Sequence, residues 1–282
     1  ICAFSAVPAG TFLLVVFSST DSVVIDRQLI TILFGTFTGI SFLGNIVLAL
    51  CQPSPKEANL REKKKGSYVA ELVETFRLVP TRKMLLLAIP YAYTGLHTTF
   101  SIVVYPTSLA FTRSFTMSSK SVLGMNKIAI GVGQLLGCLL SIIADRFLVR
   151  RGRYTALVFG SALHVVSLVL ISWLIKRNHD NGSLPARWTC GCSPAIACLA
   201  GLLLGMVDSA FNAQLYAMTS TLYETNCPQA MALYKFYHAL LSTCSMLYGG
   251  KFLLPVQLSI LAVCAVLSTV PFAIAEKSSP HR

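Results

Sequence analysis

LLLGMVDSAFNAQLYAM, residues 202–218, is an apolar run that carries an aspartate, an asparagine and a glutamine. These are Asp208, Asn212 and Gln214, and most of their neighbours are Leu, Gly, Met, Val, Ala or Phe. An aspartate in such surroundings is costly unless it is paired, protonated or hydrated. The solvent around this segment therefore decides both the fold and the meaning of Asp208.

The composition of the whole chain identifies that solvent. Of the 282 residues, 54% are hydrophobic and only 12% are charged, whereas soluble domains have about 25% charged residues. A helix needs about 17 to 25 apolar residues to cross a bilayer. Runs of that kind recur near 1–17, 29–51, 84–110, 121–145, 154–175, 194–218, 229–250 and 253–275. The sequence thus predicts an all-α polytopic membrane protein that contacts the lipid bilayer.

Basic residues are unevenly distributed between the two sides that alternating spans create. Fourteen Lys and Arg residues fall on the side of loop 52–83 and the C-terminus, and seven fall on the other side. Because Lys and Arg are enriched in cytoplasmic loops, we expect both chain ends and loop 52–83 to be cytoplasmic. The identity of the membrane, plasma or internal, stays open. The net charge of +12 is explained without nucleic acid as a partner.

Three smaller features bear on processing and on cofactors. The triplet Asn181-Gly182-Ser183 is a glycosylation sequon on the side assigned to the outside, and its alternative is a chance match. The chain begins at Ile1 inside an apolar run, so we expect a fragment that lacks upstream helices. Loop residues Cys190 and Cys192 lack two further ligands at matched spacing, so neither a metal nor another cofactor is expected.

The spacing of the spans indicates how the chain is organised. Two spans precede loop 52–83 and six follow it, as in transporters whose six-helix halves contain three-plus-three inverted repeats. We therefore expect 1–51 to be the last two helices of a first half, 52–83 a basic inter-half loop, 84–276 the second half and 277–282 a tail. The loop ends in SYVAELVETF, an amphipathic helix that either lies on anionic lipid or acts as a solvated linker.

Polar residues inside the spans were assigned depths from a helical rise of about 1.5 Å per residue. This places an inner polar layer near the cytoplasmic side, composed of Asp208, Gln134, Lys235, His238 and Asn212. A second layer, nearer the outside, contains Lys127 and His97. Lys127 either belongs to that layer or extends to the headgroups, and His97 is either a relay group or a packing residue. Gln134 and Asn212 either line a site or join helices.

Asp208 has a short side chain that cannot reach the headgroups. Lys235 is the only cation at its level, so we expect the two to form a buried pair. Structural pairing and functional coupling are both open for such a pair.

Three stretches resemble one known family. LLLGMVDSAFNAQLY (202–216) resembles the Gly-x-x-Asp-x-x-x-Asn-Ser/Thr-Gln segment of the UNC-93-like branch of the major facilitator superfamily. MLLLAIPYAYTGLHTTFSIVVY (84–105) resembles its seventh helix, and ALYKFYHAL (232–240) resembles its eleventh. The resemblance implies a major facilitator fold, of which this chain would hold the end of the first half and all of the second.

The sequence departs from the family pattern in two places. Ala213 stands where the family usually has Thr or Ser. GCLLSIIADRFLVRRGR (137–153) resembles the Asp-Arg-x-Gly-Arg turn of the superfamily, with extra residues before Gly152. The acidic and basic residues of this turn either form a charge latch between helix ends or are ordinary cytoplasmic anchors; they are Asp145, Arg146, Arg150 and Arg153.

Two functions follow from these patterns. The first is a secondary transporter that moves a small solute or ion by alternating access, with Asp208 as a switch. The second is a regulator that does not transport and binds another membrane protein, such as a channel or receptor. The sequence shows no nucleophile with acid and base partners, no phosphate-binding loop and no dinucleotide motif, so an enzyme is not expected.

Overall fold

The computed structural model describes residues 11, 27–50, 68–110, 119–148, 153–179, 193–249 and 251–277. All regular structure in these ranges is helical, which confirms the predicted all-α class. The helices are α1 (Arg27–Leu50), α2 (Tyr68–Leu78), α3 (Arg82–Thr99), a π-helical segment (Phe100–Val104), α4 (Tyr105–Ala110), α5 (Ser119–Leu148), α6 (Arg153–His179), α7 (Pro194–Leu222), α8 (Cys227–Gly249) and α9 (Leu254–Lys277).

Within the described residues, four helices are long and apolar enough to cross a membrane. They are Ser121–Ile143, Thr155–Trp173, Pro194–Leu222 and Leu254–Lys277, and they correspond to four of the predicted spans. The predicted span 84–110 and residues 229–249 of the span 229–250 are helical but more polar, and α1 contains a shorter apolar helix, Phe34–Val47. The predicted span 1–17 lies outside the described residues except for Thr11.

The chain divides into two units, residues 19–73 and residues 74–282 with 1–18. The first unit contains α1, whose apolar side chains are mostly exposed. Helix α2 exposes Val69, Leu72, Val73 and Phe76, which share one helical face at this spacing. Its position at a membrane interface stays a prediction.

Six helical segments of the second unit pack in a repeated pattern. Helix α5 lies along α7, and α3 lies along α8; α6 contacts α7, and α9 contacts both α3 and α6. Exchanging α3, α5 and α6 for α7, α8 and α9 converts α5–α7 into α3–α8 and α6–α7 into α3–α9, and it leaves α6–α9 unchanged. Two three-helix units related by an inverted repeat have this property.

Glycines allow α5 and α7 to approach backbone to backbone. A Cβ atom on Gly133 would lie 2.0 Å from the carbonyl oxygen of Leu202, and one on Gly205 would lie 2.1 Å from that of Ile130. Contacts that advance together along both helices, such as Gly133–Leu202 and Gly137–Met206, show that the two run parallel. Small residues permit this type of packing between membrane helices.

The π-helical segment between α3 and α4 has an identifiable cause. Pro106 has no N–H to donate to the carbonyl group of Ile102, and its ring would clash with that group in a regular α-helix. The backbone widens there, and the N–H of Tyr105 bonds the carbonyl oxygen of Phe100. Such segments often occur at functional sites, and this one directly follows His97, Thr98 and Thr99.

Candidate functional site

Asp208 lies in the middle of α7 and is contacted from two other helices. The amide of Gln134 on α5 donates a 3.0 Å hydrogen bond to Oδ2, and the hydroxyl of Thr98 on α3 donates a 3.4 Å bond to Oδ1. His97 on α3 places Nδ1 3.7 Å from Oδ1. The Asp208 side chain is 18% exposed, whereas that of His97 is 2% exposed. Donors on neighbouring helices thus compensate for the desolvation of this carboxylate.

Asn212 links this carboxylate to α8. One turn beyond Asp208, it donates from Nδ2 to Oδ1 of Asp208 at 3.2 Å and to the Asp208 carbonyl oxygen at 2.7 Å. The hydroxyl of Tyr234 on α8 donates to Oδ1 of Asn212. One hydrogen-bond network therefore joins α3, α5, α7 and α8.

A second branch of polar groups extends from His97 towards α6. The rings of His97 and His164 meet edge-on with centroids 4.6 Å apart, and the hydroxyl of Tyr93 shares a hydrogen bond with Nδ1 of His164. All three side chains are buried. Two imidazoles and one carboxylate are therefore adjacent near the centre of the helical unit.

Several polar atoms of this network have no hydrogen-bond partner within the described part of the protein. They are Nε2 of His97, Nε2 of His164 and Oε1 of Gln134. A buried donor or acceptor without a partner typically costs about 1–3 kcal/mol. The network thus has more hydrogen-bonding capacity than the helix–helix contacts use.

Lys235 is not bonded to Asp208, which corrects the expected ion pair. Across the described residues, the only pairing of Asp208 with a basic group is the one with His97. The Lys235 side chain is exposed, and its Nζ lies 5.2 Å from the ring centroid of Tyr216 and 5.1 Å from that of Tyr234. The carboxylate obtains its bonds from α3, α5 and its own helix, so it does not need the lysine.

His97 also lies elsewhere than expected, because it contacts Asp208 and not an outer layer. Depths counted along the sequence hold only for vertical helices that enter the bilayer at their first apolar residue. Helix α7 has 29 residues, about 43 Å at 1.5 Å per residue, and so exceeds a hydrocarbon core of about 30 Å. Its length therefore does not fix the depth of Asp208.

The remaining candidates are placed as follows. His238 on α8 shares a 3.1 Å hydrogen bond between Nδ1 and the hydroxyl of Thr94. Lys127 on α5 is half-buried and is not among the contacts of Asp208. Arg150, Asn181 and the side chains of the remaining charge-latch residues lie outside the described part of the structure; these residues are Asp145, Arg146 and Arg153.

Thr98 and Tyr234 belong to the site but were not predicted from the sequence. The sequence does contain a pattern that indicates this region, since Tyr91, Thr94 and Thr98 recur at helical spacing on one face of α3. That face meets α8, where the rings of Tyr91 and Tyr234 lie 4.5 Å apart.

Comparison with known proteins places this arrangement in a family. The family model described as "Ion channel regulatory protein UNC-93" matches residues 1–273. No solved structure matches the chain significantly.

Individual relatives agree with the family match. "UNC93-like protein MFSD11" of Xenopus laevis is 28% identical over 274 residues, which cover 89% of this chain and 60% of that protein. The Xenopus tropicalis protein of the same name is 29% identical over 217 residues, or 74% of this chain and 48% of its own. "Protein unc-93 homolog A" of Homo sapiens is 24% identical over 255 residues, covering 89% and 51%. The chain thus spans about half of the length of these curated relatives.

The family match covers α1 to α8 and α9 as far as residue 273. It agrees with the four membrane-crossing helices and with apolar side chains exposed on their surfaces, such as Leu139, Phe159 and Val266. The chain therefore belongs to the UNC-93 family, as an integral multi-pass membrane protein of the major facilitator type.

Proposed function

We propose that this protein is a secondary transporter that moves a small solute by alternating access. The observation that carries the proposal is the unused hydrogen-bonding capacity around Asp208. Helices held together only for stability do not need two adjacent imidazoles with unpaired nitrogens beside a carboxylate. Ionisable residues at membrane depth are costly and usually serve ion or substrate pathways.

The proposed site combines residues of four helices, α3, α5, α7 and α8. Its buried side is formed by the network around the carboxylate, namely His97, Gln134, Asp208 and Asn212. Its more exposed side is formed by His238 and Lys235 on α8. The π-helical segment after Thr99 supplies a point at which α3 can bend, since its backbone bonds are already irregular. Bending there would change the distance between His97 and Asp208, which couples the site to helix movement.

The organisation inferred from sequence is part of this proposal. Residues 84–276 form the second half of a major facilitator fold, and 1–51 contribute the last two helices of the first half. The packing of α3 to α9 supports this, because the pairings are preserved when the two helix triplets are exchanged. Loop 52–83 and both ends are cytoplasmic, and Asn181 is a glycosylation site on the opposite side.

The charge latch would act at the ends of α5 and α6. Asp145 and Arg146 belong to the last turn of α5, and Arg153 begins α6. Opposite charges at adjacent helix ends stabilise one conformation when they pair and release it when they separate. This proposal rests on the sequence and on the helix boundaries.

Uptake into sealed vesicles tests the transport function. The intact protein would be reconstituted, incubated with an isotope-labelled metabolite extract, and compared with Asp208→Asn. We expect at least one compound to accumulate with the wild type and not with the variant. Ser268→Ala on α9 is the control, because its buried hydroxyl bonds only within its own helix. A complete absence of saturable uptake in every preparation would contradict the proposal.

A regulatory role is the second candidate, and the description of the matched family favours it. That description names an ion channel regulatory protein. In this role the polar network would hold the helices in the shape that a partner recognises. Co-purification of a channel or receptor that depends on the exposed faces of α5 and α6 but not on Asp208, together with no uptake, would establish the second candidate.

A further inference from the structure

We propose that the solute is a small organic anion whose carboxylate binds Lys235. The inference deepens the proposed transport function and rests on it. It begins from the finding that Asp208 and Lys235 do not neutralise each other.

Lys235 has no acidic partner among the described residues. It lies in α8 about 12 Å from the start of the helix at Cys227. No carboxylate among the described residues lies within 4.0 Å of its ammonium group. The rings of Tyr216 and Tyr234 attract the ammonium group through their π faces. Because aromatic rings have no formal charge, the net charge of +1 remains available to an anion.

The surroundings of Lys235 are suited to an anion with an apolar body. Tyr216 lies four residues after Asn212 and eight after Asp208, so all three occupy one face of α7. Tyr216 is half-buried, and Lys235 is exposed. His238, one turn further along α8, adds an imidazole to the same side. Aromatic faces can contact an apolar body while the ammonium group binds its carboxylate.

Other classes of solute are less compatible with these contacts. A cation would be repelled by Lys235, and the carboxylate that could attract it is already bonded to Gln134, Thr98 and Asn212. A neutral solute would leave the charge of Lys235 without a counter-charge at membrane depth, where charge is costly. An anion removes that cost on binding.

Equilibrium binding to the intact protein in uncharged detergent tests the inference without transport. The probe is benzoate, with benzyl alcohol as the neutral control and benzylammonium as the cationic control. We expect saturable binding of benzoate, seen as a concentration-dependent rise in Tm, and none for either control. Equal shifts from benzoate and benzyl alcohol would overturn the proposal, because the carboxylate would then contribute nothing.

Variants locate the binding. Lys235→Gln should weaken benzoate binding at least tenfold, since it removes a charge-assisted bond, and Lys235→Arg should stay within about threefold. Tyr216→Leu should weaken binding through loss of the ring face, and it remains informative if Lys235→Gln does not fold. Lys277→Gln, at the exposed end of α9, is the matched control. Unchanged benzoate affinity in Lys235→Gln would overturn the proposal.

A lipid headgroup is another source of the same anionic chemistry. Binding would therefore be repeated in nanodiscs of phosphatidylcholine alone and with about one third phosphatidylglycerol. Benzoate binding that persists in both supports a free solute. Complete displacement by phosphatidylglycerol would assign the lysine to a lipid and overturn the proposal. Benzoate binding without any uptake would support the anion site and contradict the transport function. Uptake of a cation that does not depend on Lys235 would support the transport function and overturn the anion site.

Discussion

Two parallel helix pairs in the described part of the chain, α5–α7 and α3–α8, are joined by different kinds of contact. Between α5 and α7, glycines bring backbone against backbone, as at Gly133 and Gly205. Between α3 and α8, one glycine makes a similar approach, since a Cβ on Gly95 would lie 2.2 Å from the carbonyl oxygen of His238. We call the line of contact between two parallel helices a seam. The rest of the α3–α8 seam consists of side-chain contacts, such as the 2.6 Å hydrogen bond between the hydroxyls of Thr99 and Ser242.

The difference indicates which pair moves. Successive backbone contacts, as at Gly133, Gly137 and Gly205, hold α5 and α7 in one arrangement, whereas the single contact at Gly95 leaves α3 more freedom against α8. Hydroxyl and imidazole groups can exchange partners at small cost, which lets a seam open and close. We therefore expect α5 and α7 to behave as one rigid body and α3 to slide along α8, with Asp208 joining the two seams through Gln134 and Thr98.

The largest effect is expected from a side chain inserted into the glycine seam. Gly205→Leu would force α5 and α7 apart, because even a Cβ atom would lie 2.1 Å from a backbone oxygen. Overpacking typically costs about 1–3 kcal/mol and sometimes more, and we expect a loss of about 3 kcal/mol. Thermal unfolding of the purified protein in detergent measures it.

Gly44→Leu is the matched control for this substitution. Among the described residues, nothing lies within 4 Å of a Cβ atom at that position in α1. Leucine is a better helix former than glycine, so we expect no destabilisation. Equal losses for the two variants would show that the α5–α7 seam is not rigid.

The second effect concerns the residue that joins the seams. Asp208→Ala removes the acceptor of Gln134, Thr98 and Asn212, and we expect a loss of about 2–3 kcal/mol in the free energy of unfolding. Asp208→Asn should lose less than about 1 kcal/mol, because Oε1 of Gln134 is unpaired and a flipped amide can accept from asparagine. Similar losses in both variants would show that the negative charge, and not the hydrogen bonds, holds the seams together.

A third prediction uses double-mutant cycles around the same residue. Asp208→Ala and Gln134→Leu should couple by about 1 kcal/mol, since the two side chains are hydrogen-bonded. Asp208→Ala and Lys235→Ala should be additive within about 0.5 kcal/mol, as expected for residues without contact. Strong coupling between Asp208 and Lys235 would restore the ion pair that the sequence suggested.

The sequence was sufficient for the parts of the structure that depend on composition and periodicity. Apolar length predicted the helices, and the spacing of Val69, Leu72, Val73 and Phe76 predicted α2, because both depend on local residue types. Gln134 was placed near Asp208 because α5 and α7 run parallel and their residues were counted from the same side. That comparison requires no knowledge of tilt.

The partners of Asp208 on α3 and of Asn212 on α8 could not be obtained in this way. Helices α3 and α8 run in the opposite direction to α7. Errors in the residue at which each helix is taken to enter the bilayer therefore add up, and they placed His97 in the outer layer. Lys235 was assigned to Asp208 because opposite charges at one depth attract each other. The calculation had no information on rotation about the helix axis, which directs the lysine towards Tyr216 and Tyr234.

The smallest effect is expected where the mobile seam is weakened by one hydroxyl. Thr99→Ala and Ser242→Ala each remove one side of the 2.6 Å bond between α3 and α8, and hydrogen bonds between membrane helices contribute about 0.6 kcal/mol on average. We expect each variant to lose about that amount of stability and the double variant to lose little more, since the bond is already absent. If the seam slides during transport, these variants should change the uptake rate more than they change stability. A loss as large as that of Gly205→Leu would mean that both seams are rigid, and the movement would have to lie elsewhere in the fold.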